Sequence, residues 1–200
     1  FEQPPDEVCL GVRKTVGTNY EKTMKEHAPP RSLVRRANRG DADAIARVHM
    51  RAWHESYRGL VPDQAIDRQT IDIRRREWAR DLTRDNWFTH VAQIGEEIVG
   101  FVCGFPDASE PGYDSYLNTL YVLQSAQRRG IARALLEAVV ADLVRCGCTS
   151  MWWLTLKENP ACAFYERIGA KILRDQAAPA ILGAGVADRV FGLAEFSDLR

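Results

Sequence analysis

An apolar run, LYVLQS, leads into Gln127-Arg128-Arg129-Gly130-Ile131-Ala132, and an amphipathic helical pattern starts at once. The first turn of a helix leaves about four backbone N–H groups without internal partners, and with the macrodipole these make an anion site suited to a phosphate or pyrophosphate. Gly130 and Ala132 are small enough to let the backbone approach a ligand, while Arg128, Arg129 and Arg133 add positive charge. The loop is neither a GxxxxGK phosphate loop ending in Ser or Thr nor a full GxGxxG, since Gly130 is its only glycine. Taken alone, the segment also fits a purely structural turn. A second segment, NPACAFYERIGA over residues 159–170, has Asn159 at a cap position and Pro160 at the first helical position. It also carries Tyr165, whose phenol can donate a proton near its ordinary pKa of about 10.

The periodicity places these segments on particular elements. SLVRRA reads as a short strand, and the helix that follows sets Ile45, Val48, His49, Ala52 and Trp53 on one face, with Asp41 or Asp43 as its N-cap. Residues 66–82 read as one charged helical region, with Ile71, Trp78 and Leu82 facing the core and Arg74, Arg75, Arg76 and Arg80 largely outside. WFTHVAQI and IVGFVCGF, linked at Gly95-Glu96-Glu97, read as a β-hairpin. A Pro, Gly, Asp and Ser-rich loop precedes the strand YLNTLYV. Leu135, Leu136, Val139, Val140 and Leu143 then mark a helix ended by Gly147, and TSMWWLTL a buried strand on which Trp152 and Trp153 point to opposite faces. Lys171–Arg174 and Val190–Leu193 read as the last strands. The alternation argues for a mixed α/β sheet.

Together the two segments resemble the cofactor-binding half of the GCN5-related N-acetyltransferases (GNAT). That half carries a Q/R-x-x-G-x-G/A pyrophosphate loop and then an N…A…FYE…GA helix bearing a catalytic tyrosine. The resemblance runs from about Leu33 to Leu199 and is strongest between Leu117 and Ala170. It implies a mixed, mostly antiparallel sheet with helices on both faces, splayed between YLNTLYV and TSMWWLTL, with acetyl-CoA wedged in the gap as co-substrate. By the same resemblance, backbone groups of Leu120 and Val122 hold the pantetheine arm, and Gln127, Arg128, Arg129, Gly130, Ile131, Ala132 and Arg133 hold the pyrophosphate. Asn159 also binds the arm, and Tyr165 faces the thioester sulfur. The Val122 N–H is the expected oxyanion donor and the Tyr165 hydroxyl the expected acid, with the amine attacking directly in a ternary complex.

Relatives often carry a glutamate on the strand matching YLNTLYV, whereas this stretch offers Tyr116, Asn118 and Thr119. Deprotonation is left to water, His49, His54, Glu55 or Asp114, or to an amine that arrives neutral. The segment RAWHESYRGLVPDQ resembles the first helix and loop of a subgroup in which Trp53 and Tyr57 border the acceptor cleft; Tyr116 and Asn118 are further acceptor-side candidates.

Lys plus Arg and Asp plus Glu both number 27, so no global field recruits nucleic acid or an anionic membrane. No apolar stretch approaches the roughly 20 residues that cross a bilayer. The five cysteines form no CxxC pair or zinc-spaced cluster and read as reduced thiols, which with the absence of a leader-like start points to the cytoplasm and to no metal. Cys162, close in sequence to Tyr165, reads as a core thiol. Residues 1–30 read as an N-terminal extension or arm, partly disordered, and residues 31–200 as the acetyltransferase domain. The expected acceptor is a small-molecule or peptide amine. Sheet edges and apolar helix faces that need cover suit a homodimer. The rival readings are an acyl-CoA sensor or scaffold without turnover and a nucleotide-binding module.

Overall fold

The computed structural model describes residues 32–199; the expected N-terminal extension lies outside the described residues. The elements run β1 (Leu33–Arg36), α1 (Ala42–Tyr57), α2 (Asp63–Asp67), α3 (Ile71–Asp81), β2 (Phe88–Ile94), β3 (Glu97–Pro106), β4 (Ser115–Val122), α4 (Ile131–Arg145), β5 (Met151–Leu156), α5 (Cys162–Arg167), β6 (Lys171–Ala177) and β7 (Ala187–Leu193). The strands form one sheet in the order β1-β2-β3-β4-β5-β7-β6. Every neighbouring pair is antiparallel except β4 and β5, which run parallel and stay in register only at Tyr116 and Trp152. The expected mixed, splayed sheet is therefore what forms.

Two features open the sheet at that place. Cys103 pairs with Thr119 while the next residue, Gly104, pairs with Leu117, so Asn118 is an extra residue on β4. Such a bulge bends and twists its strand. At the root of the divergence the Asp114 carboxylate accepts hydrogen bonds from the backbone N–H groups of Thr149 and Ser150 and from both of their hydroxyls, all at 2.9–3.0 Å. The two strands are clamped at one end and part beyond it.

Side-chain alternation along β3, reset by a bulge that leaves Val99 as an extra residue between the pairs Gly100–Ala92 and Ile98–Gln93, divides the core into two layers. Val99 and Val102 join Leu135, Leu136, Val139 and Leu143 of α4 on one face. Phe101 and Cys103 meet Ile45, Val48 and Ala52 of α1 and Trp78 of α3 on the other. Gly100 lies in this sheet, where an added Cβ would fall 2.8 Å from the Tyr121 carbonyl oxygen and 3.3 Å from the Val122 Cα. Both neighbours are backbone, so neither can swing aside. Gly100→Ala is expected to cost about 1 to 3 kcal/mol of stability, read as a fall in melting temperature, because β4 must shift.

Several sequence expectations need correction. The single helix expected over 66–82 is two, because the Thr70 hydroxyl accepts the Ile73 N–H and starts α3 afresh. Arg74 does not face outward; its side chain is 16% exposed and its guanidinium lies 5.7 Å from the Trp53 ring centroid. Asp41 precedes α1 but does not cap it, since its carboxylate is taken by Arg35 and by the Asn38 N–H. The hairpin turn is shorter than expected because Glu97 already belongs to β3. α5 begins at Cys162, after an irregular turn in which Asn159 Oδ1 accepts the Ala161 N–H. The last two strands also run longer than their apolar stretches, and polar Asp188 and Arg189 lie within β7.

Candidate active site

The Leu123 N–H donates to the Val99 carbonyl at 2.9 Å, which makes that antiparallel pair a hydrogen-bonded one. Hydrogen-bonded and non-hydrogen-bonded pairs alternate along such a ladder, so Val122 opposite Gly100 and Leu120 opposite Val102 turn their N–H and C=O groups away from β3. They face the gap toward β5. The Val122 carbonyl accepts the Gln127 side-chain amide at 3.0 Å, so this glutamine bridges from the loop back to the strand.

The loop beyond β4 is exposed at Gln127, Arg128, Arg129 and Gly130. Arg128 has φ +62°, the one positive φ outside glycine among the described residues, and Gly130 has φ +78°. Alternation through left-handed residues curls successive N–H groups into a concave nest for an anion, and it leads directly into the N-terminus of α4. A Cβ on Gly130 would meet open space, so backbone conformation rather than crowding calls for glycine there. Ile131 is buried and Ala132 half-buried, anchoring the first turn. Arg133 is turned along its own helix to Glu137 at 2.7 Å rather than standing free beside the loop.

Across the gap, Tyr165 is buried on α5 with its ring 4.9 Å from that of Trp153 and 5.5 Å from that of Phe191. Burial first, then the neighbouring Tyr57, Cys162 and Tyr116, push its phenol well above the ordinary tyrosine value. It stays protonated at neutral pH, so in a proton transfer it can serve as the acid and not as the base. Cys162 points its thiol at the carbonyls of Leu156 and Lys157, and burial raises it above the usual thiol range, as suits a packed residue.

A cleft of about 300 Å³ opens on the α1 side of the gap. Trp53 and Tyr57, whose rings lie 4.3 Å apart, form one wall, and Asn118 and Thr155 contribute to the other. The Tyr57 hydroxyl lies 3.3 Å from that of Tyr121. Tyr116 does not line this cleft; it is wedged between Phe105 and Trp152, and burial pushes its phenol up to about 12. Four charged residues that sequence reading did not place here do line it: Arg74, its partner Glu77, Asp81, which is paired with Arg80 and Arg84, and Asp188. Asp188 is 8% exposed, and burial raises its carboxyl above the usual range.

The proton acceptors considered from sequence fare differently. Asp114 is consumed by its clamp, and Glu55 accepts from the Gln124 N–H and pairs with Arg51. His49 lines the cleft, but burial and then Arg74 push it down to about 3, and its Nδ1 accepts the Trp78 indole N–H at 3.1 Å. Among the described residues no cluster suited to a metal ion is present, and no described helix is long and apolar enough to cross a membrane.

The acetyltransferase (GNAT) family matches residues 44–170. The uncharacterized N-acetyltransferase YuaI of Bacillus subtilis is 31% identical over 135 residues, covering 66% of this chain and 76% of that protein. Among solved structures, the PaiA N-acetyltransferase of Thermoplasma acidophilum, in complex with coenzyme A, aligns with TM-score 0.67 at 15% identity over 81% of this chain and 98% of that one. The ribosomal-protein-S18-alanine N-acetyltransferase of Escherichia coli aligns with TM-score 0.59 at 17% identity over 82% and 93% respectively.

Proposed function

This chain belongs to the acetyltransferase (GNAT) family, and from that premise we propose that it moves an acetyl group from acetyl-CoA to the primary amine of a small acceptor by direct attack in a ternary complex. The observation that carries the reading is the gap between β4 and β5, with the Val122 N–H turned into it from one side and the neutral Tyr165 phenol set on the other. The coenzyme A held by the Thermoplasma acidophilum protein of the same fold supports the co-substrate.

In this reading the diphosphate rests on the nest at Arg128–Gly130 and the first turn of α4, and the pantetheine arm lies along Leu120 and Val122 as a missing strand would. Asn159 stands beside its far end, with its amide NH₂ available while Oδ1 holds the Ala161 N–H. The amine lone pair forms the new N–C bond, and the Val122 N–H receives the developing oxyanion. The C–S bond then breaks, and the sulfur takes the Tyr165 proton. No enzyme nucleophile is needed.

Thiol release from acetyl-CoA with a panel of amines tests this against a domain that binds acyl-CoA without turnover. We expect amine-dependent free coenzyme A and a clear heat on titrating coenzyme A into the protein. Heat without thiol for every amine would leave only a binding domain, and the absence of both would remove the assignment.

A further inference from the structure

Two opposite charges in the acceptor cleft, Asp188 and Arg74, lack a full set of partners among the described residues, while Glu77 and Asp81, which also line it, are paired with arginines. The Asp188 carboxylate is buried on β7 and makes no hydrogen bond or ion pair among the described residues. Arg189, next to it in sequence, and Lys157, next to its cross-strand partner Leu156, both turn to Asp175 instead, at 2.8 and 2.9 Å. A cation or donors arriving beside this half-desolvated carboxyl would favour its ionised form, which burial alone disfavours. Arg74 uses Nη1 on Glu77 at 2.7 Å, but its Nε is buried without a partner, as is the Trp53 indole N–H beside it. A guanidinium recognises a carboxylate best through two parallel hydrogen bonds, and Arg74 has used only part of that fork.

Resting on the acetyltransferase reading, we propose that the acceptor is a small dipolar amine, an amino-acid-like molecule whose ammonium group seats on Asp188 and whose carboxylate or equivalent anion seats on Arg74. Both residues line the same cleft of about 300 Å³, at the small end of the range for ligand pockets. Both also act on the phenol of Tyr57, which places that ring within electrostatic reach of each charge. Asp188 stands opposite Leu156 of β5, a strand that borders the gap, whereas Arg74 stands on α3. The amine end therefore belongs on the thioester side and the anionic end toward α3. A diamine would bring a second cation to Arg74, and a backbone amide would bring no anion.

The proton count closes on these residues. The bound ammonium gives one proton to Asp188, which returns it to solvent. The nitrogen loses a second proton after attack, and that proton restores Tyr165 through water once the phenol has protonated the departing sulfur. The net release is one proton per acetyl group.

The test compares each of several free amino acids with its decarboxylated amine, measuring thiol release from acetyl-CoA by the full chain. The expected kcat/KM ratio is roughly tenfold or more in favour of the amino acid. Arg74→Met is expected to collapse that ratio toward one, and Arg74→Lys, which keeps the charge and loses the fork, to give an intermediate ratio. Asp188→Asn is expected to lower kcat/KM roughly 100-fold for every amine. Coenzyme A titration of each variant serves as the control for folding. Turnover of decarboxylated amines as fast as amino acids, an unchanged ratio in Arg74→Met, or full activity in Asp188→Asn would overturn the proposal while leaving acetyl transfer standing. Coenzyme A binding with no thiol from any amine would overturn acetyl transfer, and this acceptor class with it.

Discussion

Tyr165→Phe is expected to lower kcat roughly 100-fold while leaving the affinity for acetyl-CoA within about twofold. The ring stays where Trp153, Phe164 and Phe191 already surround it, so packing and the cofactor side of the gap are preserved. What disappears is a hydroxyl whose proton the burial of the site keeps in place at any physiological pH. A leaving thiolate without that donor must take its proton from water, which reaches a buried position poorly. Single-turnover kinetics with an accepted amine, together with coenzyme A titration, separate the two quantities. Equal single-turnover rates for the two proteins would remove Tyr165 from the chemistry and reduce it to a core tyrosine.

Asp114→Ala is expected to cost about 2 to 3 kcal/mol of stability, because one carboxylate satisfies two backbone N–H groups and two hydroxyls where β4 and β5 diverge. Ser150 is 4% exposed, so its freed N–H cannot turn to water without local opening. Burial opposes the charge on Asp114, but the four hydrogen bonds together outweigh it and hold the carboxyl below the usual range. A depressed folded pKa stabilises the protein fully above the unfolded value of about 4, and the benefit fades as pH falls through the lower folded value. The difference in melting temperature between wild type and variant should therefore be full at neutral pH and shrink on acidification below about pH 4. A constant difference across that range would mean that the ionised carboxylate does not carry the clamp.

How much was legible in the one-dimensional chain follows from how local each signal is. The QRRGIA corner could be read because it needs only a strand end, a glycine able to take positive φ and a helix start, all within a few residues. The tyrosine helix could be read because Asn159, Pro160 and Gly169 bracket it in sequence. The gap between β4 and β5 followed from the family resemblance those two segments carried. Arg74 was misplaced because its neighbours on α3 are also arginines, and helical periodicity alone cannot tell which of several charged positions faces a cleft formed by another helix. Asp188 escaped because its strand was traced by apolar residues, and a polar start paired on both sides within the sheet carries no such mark.

The chain alone thus determined the half proposed to hold the cofactor, where backbone geometry over short stretches shapes the loop and the helix start. The tertiary structure alone decided the proposed acceptor half. Trp53, Arg74, Thr155 and Asp188 come from four elements, and they meet only after the clamp at Asp114 and the bulge at Asn118 have set how far the sheet opens. Charges brought together across such distances acquire partners, or lack them, from burial that no local pattern encodes.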